Sequence, residues 1–172
     1  DLDFFTQSMR NVIGDGGGAL HAIAGTLMIT LTATIISVPI GLMTSIYLVE
    51  YGNSGKLARA ITFFVDVMTG IPSIVAGLFA YAVFVIFFGA GYSSGFEGAI
   101  ALSVLMIPVV VRSSEEMLRL VPNELREASF ALGVPKWLTI VKVVLPTSIA
   151  GITTGVMLAI ARVIGETAPL LL

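Results

Sequence analysis

The chain has 172 residues, of which 56% are hydrophobic and only 12% carry a charge. Soluble domains average about 25% charged residues, so this composition indicates a membrane protein and argues against a soluble enzyme. A net charge of −2 provides no basic surface for nucleic acid, and without cysteine the chain can form neither a disulfide nor a thiolate metal site. Its single histidine, His21, cannot build a zinc centre, so we expect no metal site and no cofactor bound by this chain.

The first predicted span follows a polar, glycine-rich lead-in at residues 1–20. Residues 22–49 carry no charge and exceed the ~20 residues that an α-helix needs to cross the hydrocarbon core. Pro39 predicts a kink in this helix. Hydroxyl side chains recur in it at three- and four-residue spacing, which predicts a face that bonds within the helix or to a neighbour: Thr26, Thr30, Thr34 and Ser37.

The second predicted span covers residues 60–88 and is interrupted by Asp66 and by the sequence Gly-Ile-Pro-Ser at residues 70–73. Because a proline lacks the backbone N–H that a helix interior needs, this sequence predicts a kink or break. Two interpretations of Asp66 stay open. It is either a polar group that faces the protein interior or an acid at the membrane interface.

The third apolar run, residues 98–111, spans only ~21 Å as a helix, against a hydrocarbon core of ~30 Å. Its topology follows from the basic residues. Seven of the nine Lys and Arg residues fall into two segments, 50–59 and 112–142, and the other two are Arg10 and Arg162. The positive-inside rule places both segments in the cytoplasm, so an even number of spans must separate them and the third run must cross.

The helix of the third span is predicted to continue into the cytosol. Arg112 can extend its guanidinium to the inner membrane surface, and the charged residues up to Arg119 favour a solvated extension of the same helix. Arg112 and Glu116 are four residues apart, so we predict that they pair on its surface.

A helix–turn–helix unit is predicted after Pro122. Strong helix formers at residues 125–132 precede Gly133, which can take the left-handed conformation that ends a helix. A second short helix is predicted at residues 135–144, with one apolar stripe: Trp137, Leu138, Val141 and Leu145. Such a unit at a membrane surface is suited to a groove on a soluble partner, although the pattern alone also allows an ordinary polar connection.

The fourth span is predicted to begin near residue 143 and to run to about residue 168. Gly151, Gly155 and Ala159 recur every four residues in it. A face of such small residues lets a neighbouring helix approach closely.

Two charges lie within the fourth span. Arg162 and Glu166 are four residues apart, and each charge at the bilayer centre costs about 2.5 to 3.5 kcal/mol on insertion scales. They should therefore face protein or water. One interpretation is a structural ion pair near the outer interface. The other is an anion pathway in which Arg162 binds an oxyanion, Glu166 holds the arginine in place and Thr167 adds a hydroxyl.

The spacing within residues 127–146 resembles the cytoplasmic coupling loop of ABC importer permeases. That loop reads Glu-Ala-Ala, three residues, Gly, nine residues, Ile, any residue, Leu-Pro. The matching positions here are Glu127, Ala128, Ser129, Gly133, Val143, Leu145 and Pro146. Ser129 replaces an alanine and Val143 an isoleucine. The resemblance implies a cytoplasmic coupling loop at residues 115–142 that docks on an ATPase.

Two further sequences, residues 70–75 and residues 165–170, resemble the PstA-type permease subunit of bacterial phosphate ABC importers. The resemblance implies an all-α fold: a polytopic membrane helical bundle of the type I importer permease kind, with about four spans in one domain over residues 1–172. Such permeases usually have six helices, so we expect a fragment without the first and last. The implied phosphate pathway contains Arg162, Glu166, Thr167, Asp66 and Ser73.

The implied function is ATP-driven uptake of phosphate across a bacterial or archaeal plasma membrane. The implied partners are an ATPase dimer, a second related permease, an external phosphate-binding protein and membrane lipid. No GxxxxGK[ST] sequence occurs in the chain, so we expect a non-catalytic subunit whose partner uses the ATP. Arg162 cannot rank tetrahedral oxyanions, so molybdate or sulfate remain alternative cargoes. A self-sufficient channel or secondary transporter is a further alternative.

Overall fold

The computed structural model describes residues 18–52, 55–88 and 95–166. The predicted lead-in therefore lies almost entirely outside the described residues, as does Thr167. All the regular structure described is helical: α1 (Leu20–Ile46), α2 (Lys56–Gly70), α3 (Ser73–Phe88), α4 (Gly95–Arg119), α5 (Asn123–Ala131), α6 (Lys136–Thr139) and α7 (Leu145–Ile164), with π-helical turns at Tyr47–Tyr51 and Ile140–Val144. The all-α prediction is confirmed.

Among the described residues, three stretches of helix are long and apolar enough to cross a membrane: Leu20–Tyr51, Gly95–Arg119 and Lys136–Ile164. A fourth crossing exists if α2 and α3 together count as one broken span, since the pair passes the same test but is bent by 109°. This agrees with the prediction of about four spans.

The predicted interruption of the second span lies between α2 and α3. Ile71 leaves the helical region, with φ −75° and ψ 129°, and the carbonyl of Pro72 then accepts a hydrogen bond of 2.9 Å from the N–H of Val75 at the start of α3. The residue before a proline is pushed out of the α region by the proline ring, which explains where the break falls. The sequence predicts the position of the break, and tertiary packing sets its angle.

The helix α3 runs along α4. The rings of Phe84 and Phe96 pack edge to face with centroids 6.5 Å apart, near one end of α4. Asp66, in the last turns of α2, instead pairs with Arg112. Phe96 and Arg112 are separated by ~24 Å along the α4 axis. The helix α3 therefore runs along α4, and the bend between α2 and α3 lies toward the Arg112 end of α4, which we call the inner end.

At the inner end, α2 packs across the ends of α1 and α4. Ala58 and Val65 are buried in one cluster with Leu48, from the turn after α1, and Val111 of α4. The opposite face of α2 exposes large apolar side chains: Leu57, Phe63, Phe64 and Val67. The helix α2 therefore lies on the surface of the bundle, with an apolar face that the other described helices leave exposed.

The core is formed by α1, α4 and α7. Its main cluster contains Ala33, Leu102, Met106, Val110, Ala159 and Val163. A Cβ built at Gly155 would lie 2.6 Å from the Cβ and the hydroxyl of Ser113, and one at Gly151 would overlap the side chain of Met117. The predicted small-residue face is confirmed, because α7 uses it to approach α4 closely.

The hydroxyl side chains of the first span behave in both of the predicted ways. The Thr26 and Thr34 hydroxyls donate back to the carbonyls of Ala22 and Thr30, at 2.9 and 2.7 Å. Ser37 reaches another helix and donates to the backbone carbonyl of Ser103, at 3.3 Å. These three hydroxyls are thus satisfied without water.

The helix–turn–helix unit is partly as predicted. The first helix is α5, and Gly133 follows it with φ +75°, the left-handed conformation predicted for this glycine. The prediction of a separate second short helix at residues 135–144 is wrong. The segment Lys136–Ile164 is one continuous helix of 29 residues that contains α6, a π-helical turn and α7. Pro146 is tolerated because it lies in the first turn of α7, directly after that π-helical turn.

Candidate coupling surface and substrate pathway

The side chains of α5 divide into an outward face and an inward contact. Glu127 and Ala128 are exposed, whereas Ser129 is buried. The hydroxyls of Ser129 and Thr139 lie 2.8 Å apart and hydrogen-bond to each other. Ser129 therefore holds α5 against the following helix, and its two neighbours in the sequence remain available to a partner.

Large apolar side chains are exposed around the Gly133 turn. Leu132 is 83% exposed and Trp137 is 62% exposed, and Leu125 and Phe130 are also exposed. We call these four residues, with Glu127 and Ala128, the coupling surface. Solvated apolar side chains of this size mark an interaction site. The predicted stripe is divided, since Leu145 packs into the bundle with Leu118, Val144 and Ile152.

The coupling surface is attached to the first span through a buried ion pair. Arg126 of α5 contacts Glu50, in the π-helical turn after α1, with an Nη2–Oε1 distance of 2.9 Å. The ammonium group of Lys136 also donates a hydrogen bond to the backbone carbonyl of Glu50. These contacts bring the two basic segments together on one side of the bundle, as the positive-inside rule predicts.

A chain of four charges joins α2 to α4. Asp66 pairs with Arg112, Arg112 pairs with Glu115 at 2.8 Å, and Glu115 pairs with Arg119, also at 2.8 Å. The prediction that Arg112 pairs with Glu116 is wrong. The side chain of Glu115 is buried between Arg112 and Arg119, whereas the next residue, Glu116, is exposed.

Three of these charges, Asp66, Glu115 and Arg119, line a cavity of about 370 Å³ between α2, the end of α1 and α4. Arg59 also contributes to its wall. Asp66 has a 58% exposed side chain and lies at the inner end of α4.

The two charges near the end of the last span remain close but do not share a helix. The helix α7 ends at Ile164, so Glu166 lies just beyond it and not within a span that runs to residue 168. The Arg162 Nε and Glu166 Oε1 atoms are 3.9 Å apart, and the arginine side chain is 62% exposed. Gly165 ends the helix by donating to the Ala161 and Arg162 carbonyls.

The candidate pathway residues occupy different levels of the bundle. Ser113 faces Gly155, so Arg162 lies ~10 Å further from the inner end, while Arg112 is beside Ser113. Ser73 begins α3 and is half-buried. The described residues therefore bring Asp66 to Arg112 and Arg162 to Glu166, and they do not join these two pairs into one site.

The sequence patterns did not predict a role for three residues that hold the coupling surface in place: Glu50, Arg126 and Thr139. Glu50 is the first charge after a long uncharged run, which was a detectable signal, but its partner lies 76 residues away in the chain. Within the described residues, no group of three His, Cys, Asp or Glu side chains is arranged to hold a metal ion.

Comparison with known proteins gives one consistent family. Residues 37–172 match the family described as binding-protein-dependent transport system inner membrane component. Phosphate transport system permease protein PstA 1 of Mycobacterium tuberculosis H37Rv is 54% identical over 98% of this chain and 54% of its own length. Phosphate transport system permease protein PstA of Yersinia pestis is 50% identical over 99% of this chain and 57% of its own. The chain thus spans about half the length of these curated relatives.

Solved structures support the same fold. The MetNI methionine ABC transporter in an inward-facing conformation superposes with a TM-score of 0.69 at 22% identity, covering 86% of this chain and 68% of that one. An amino acid ABC transporter gives a TM-score of 0.67 at 21% identity, covering 83% and 66%. At this identity the likeness concerns the fold alone, and it confirms the predicted permease fold. With the family match over most of its length, the chain belongs to the binding-protein-dependent transport system inner membrane component family, a family of multi-pass membrane permeases.

Proposed function

We propose that the chain is part of the permease subunit of an ATP-driven phosphate importer, with ATP hydrolysed by a separate subunit. The observation that carries this proposal is the coupling surface, an exposed apolar turn whose second half is continuous with a 29-residue candidate span. A groove on a soluble ATPase that binds this turn would act directly on the span. A self-sufficient channel leaves such a surface without a purpose.

The coupling residues have two roles in this proposal. Glu127 and Ala128, which are exposed, contact the ATPase. Ser129, Gly133, Leu145 and Pro146 shape the unit that carries them: Ser129 through its buried hydroxyl pair, Gly133 through its left-handed turn, and Leu145 and Pro146 at the start of α7. The proposed coupling loop, residues 115–142, begins in the last turns of α4 and ends in the π-helical turn before α7.

Phosphate is the proposed cargo because relatives at 54% and 50% identity are named phosphate transport permeases. Arg162 supplies a planar, permanently charged group that can donate two parallel hydrogen bonds to a phosphate oxygen pair. Glu166 and Thr167 complete this proposed part of the pathway. Asp66 and Ser73, on either side of the helix break, form its proposed inner part.

The proposed assembly contains a dimer of the ATPase, a second related permease and an external phosphate-binding protein. One transmembrane permease domain is proposed for residues 1–172. ATP binding would bring the ATPase subunits together and shift the equilibrium between two arrangements of the spans, because each arrangement makes different contacts with the ATPase dimer.

Uptake of radiolabelled phosphate tests this function. Vesicles carry the full-length subunit with its partner permease, ATPase and binding protein, and excess sulfate or molybdate is added as competitor. We expect uptake that needs ATP and resists both anions. ATP-driven uptake of sulfate or molybdate in place of phosphate would be consistent with the proposed coupling mechanism but would reject phosphate as the cargo. Uptake without the ATPase would reject the proposed function.

The pathway assignment needs its own variants. Arg162→Lys keeps the charge but loses the planar fork, so we expect phosphate uptake to fall about tenfold or more. Leu158→Ala, one turn away on the same exposed side of α7, is the matched control and should retain uptake. Equal activity of Arg162→Lys, Arg162→Ala and the unmodified subunit would contradict a role of Arg162 in the pathway.

A further inference from the structure

Glu50, in the π-helical turn just after α1, contacts both halves of the helix–turn–helix unit. We call this unit, which consists of α5, the Gly133 turn and α6, the coupling unit. The Glu50 carboxylate accepts hydrogen bonds from Arg126 Nε and Nη2 of α5, at 3.1 and 2.9 Å. Its backbone carbonyl accepts a hydrogen bond from the ammonium of Lys136, at the start of α6. That ammonium also lies 5.0 Å from the centre of the Tyr51 ring. We call Glu50, Arg126 and Lys136 the Glu50 cluster.

The two partners of the ion pair are not equivalent. Arg126 also donates to the carbonyls of Val121 and Leu118, at 2.6 and 3.0 Å, and to the Asn123 side chain at 3.3 Å. It therefore stays bonded to its own segment when Glu50 is changed. Among the described residues, the side chain of Glu50 bonds only to Arg126, so its contribution is to link α1 to α5.

Burial makes this link strong enough to transmit movement. The side chains of Glu50 and Arg126 are 6% and 12% exposed, and separating them would leave the desolvated Glu50 carboxylate without a hydrogen-bond partner among the described residues. Breaking a buried pair is far more costly than breaking a solvated one. Movement of α5 without α1 is correspondingly unfavourable.

The coupling unit thus has two structurally different outputs. Its second half continues into α7 through an unbroken helix, whereas α1 is separated from it by more than seventy residues of sequence and is joined to it by non-covalent contacts. We propose that Glu50 is a positioning residue that makes α1 move with the coupling unit as one rigid body when the ATPase displaces α5. This inference rests on the proposed function, because it requires an ATPase bound at the coupling surface.

A distance measurement tests the inference independently of the cargo. Spin labels at Met43→Cys on α1 and Glu124→Cys on α5 occupy exposed positions, and the stretch has no cysteine of its own. Electron–electron double resonance is recorded on the full complex without nucleotide and with ATP. We expect one narrow distance distribution, unchanged by ATP. In Glu50→Gln the distribution should broaden or shift when ATP is added.

Transport efficiency provides the second measurement. In Glu50→Gln we expect phosphate transported per ATP hydrolysed to fall about tenfold, while copurification of the ATPase stays unchanged. Glu97→Gln, which neutralises a half-buried carboxylate in the first turn of α4, outside the coupling loop, is the control and should keep the normal ratio. A short bismaleimide between Tyr51→Cys and Lys136→Cys should restore the ratio in Glu50→Gln, because it replaces the lost link covalently.

An unchanged distance distribution and an unchanged transport ratio in Glu50→Gln would overturn the inference. If that variant fails to assemble, Arg126→Gln takes its place. It removes the other partner of the same ion pair, and a normal distribution and ratio there would also overturn the inference. If the unmodified complex binds ATP but transports no phosphate, the cargo proposal fails and the distances still decide the role of Glu50.

Discussion

The hydroxyl groups of Ser129 and Thr139 meet at 2.8 Å in the buried contact between α5 and α6. Ser129 takes the place of the second alanine in the Glu-Ala-Ala pattern that this loop resembles, and its hydroxyl makes a hydrogen bond that an alanine could not make. Thr139 can also donate to the Pro135 carbonyl, at 3.4 Å. The Ser129–Thr139 contact closes the Gly133 turn from the inside and leaves its outer surface to a partner.

Ser129→Ala should destabilise the subunit by about 1 kcal/mol, because it removes one buried hydrogen bond but leaves Thr139 an alternative acceptor. Ser129→Val should cost more, since extra methyl groups must fit into a closed contact. Thermal unfolding of the purified complex measures both. Thr147→Ala removes an exposed hydroxyl that bonds back to Val143 and is the control. A larger loss in Thr147→Ala than in Ser129→Ala would contradict the role given to this contact.

Gly133→Val should weaken the binding of the ATPase to the coupling surface. The backbone at Gly133 has φ +75°, and an L-residue pays about 1–2 kcal/mol in this region, more when it is β-branched. We expect the ATPase to bind weakly or not at all, as measured by copurification. Gly133→Asn is the matched variant, because asparagine tolerates the left-handed conformation, and it should keep most of the binding. Equal binding by both variants would show that the turn conformation is not what the partner recognises.

Gly155→Ala should destabilise the contact between α4 and α7. The added Cβ would approach the Ser113 Cβ and hydroxyl to 2.6 Å, and overpacking of this kind costs about 1–3 kcal/mol. The double variant Gly155→Ala, Ser113→Gly should recover part of that loss, because the second change removes the atoms in conflict. Gly25→Ala, with nothing near its new methyl group, is the control for thermal unfolding. The prediction fails if the double variant is less stable than the sum of the single losses predicts.

The charges at the inner end of α4 should differ in importance. Asp66→Asn removes a solvated partner of Arg112, so we expect a stability change within about 1 kcal/mol that shrinks at high salt. Glu115→Gln should cost about 1.5–3 kcal/mol, because this buried carboxylate accepts from both Arg112 and Arg119. Unfolding at low and high salt compares the two. A larger effect of Asp66→Asn would indicate that α2 depends on the Asp66 pair for its position.

Much of the local structure follows from short stretches of sequence. The uncharged run of residues 22–49 demands a helix that satisfies its own backbone in an apolar environment, and α1 is that helix. Pro72 places a break, Gly133 ends a helix, and Gly155 marks a close helix contact, each for a reason that lies within a few residues. The family resemblance likewise depended on spacing along the chain.

Contacts between residues that are distant in the sequence were decided by the tertiary structure alone. The angle of 109° between α2 and α3 depends on how α2 packs across α1 and α4, and Pro72 does not specify it. Arg112 selects Glu115 over Glu116 because Asp66 and the bundle lie on that side. Glu50 and Arg126 meet across 76 residues of chain, and no periodicity records such a pair. Local patterns specify where helices begin, bend and end, whereas the pairing of buried charges depends on which helix ends the packed bundle brings together.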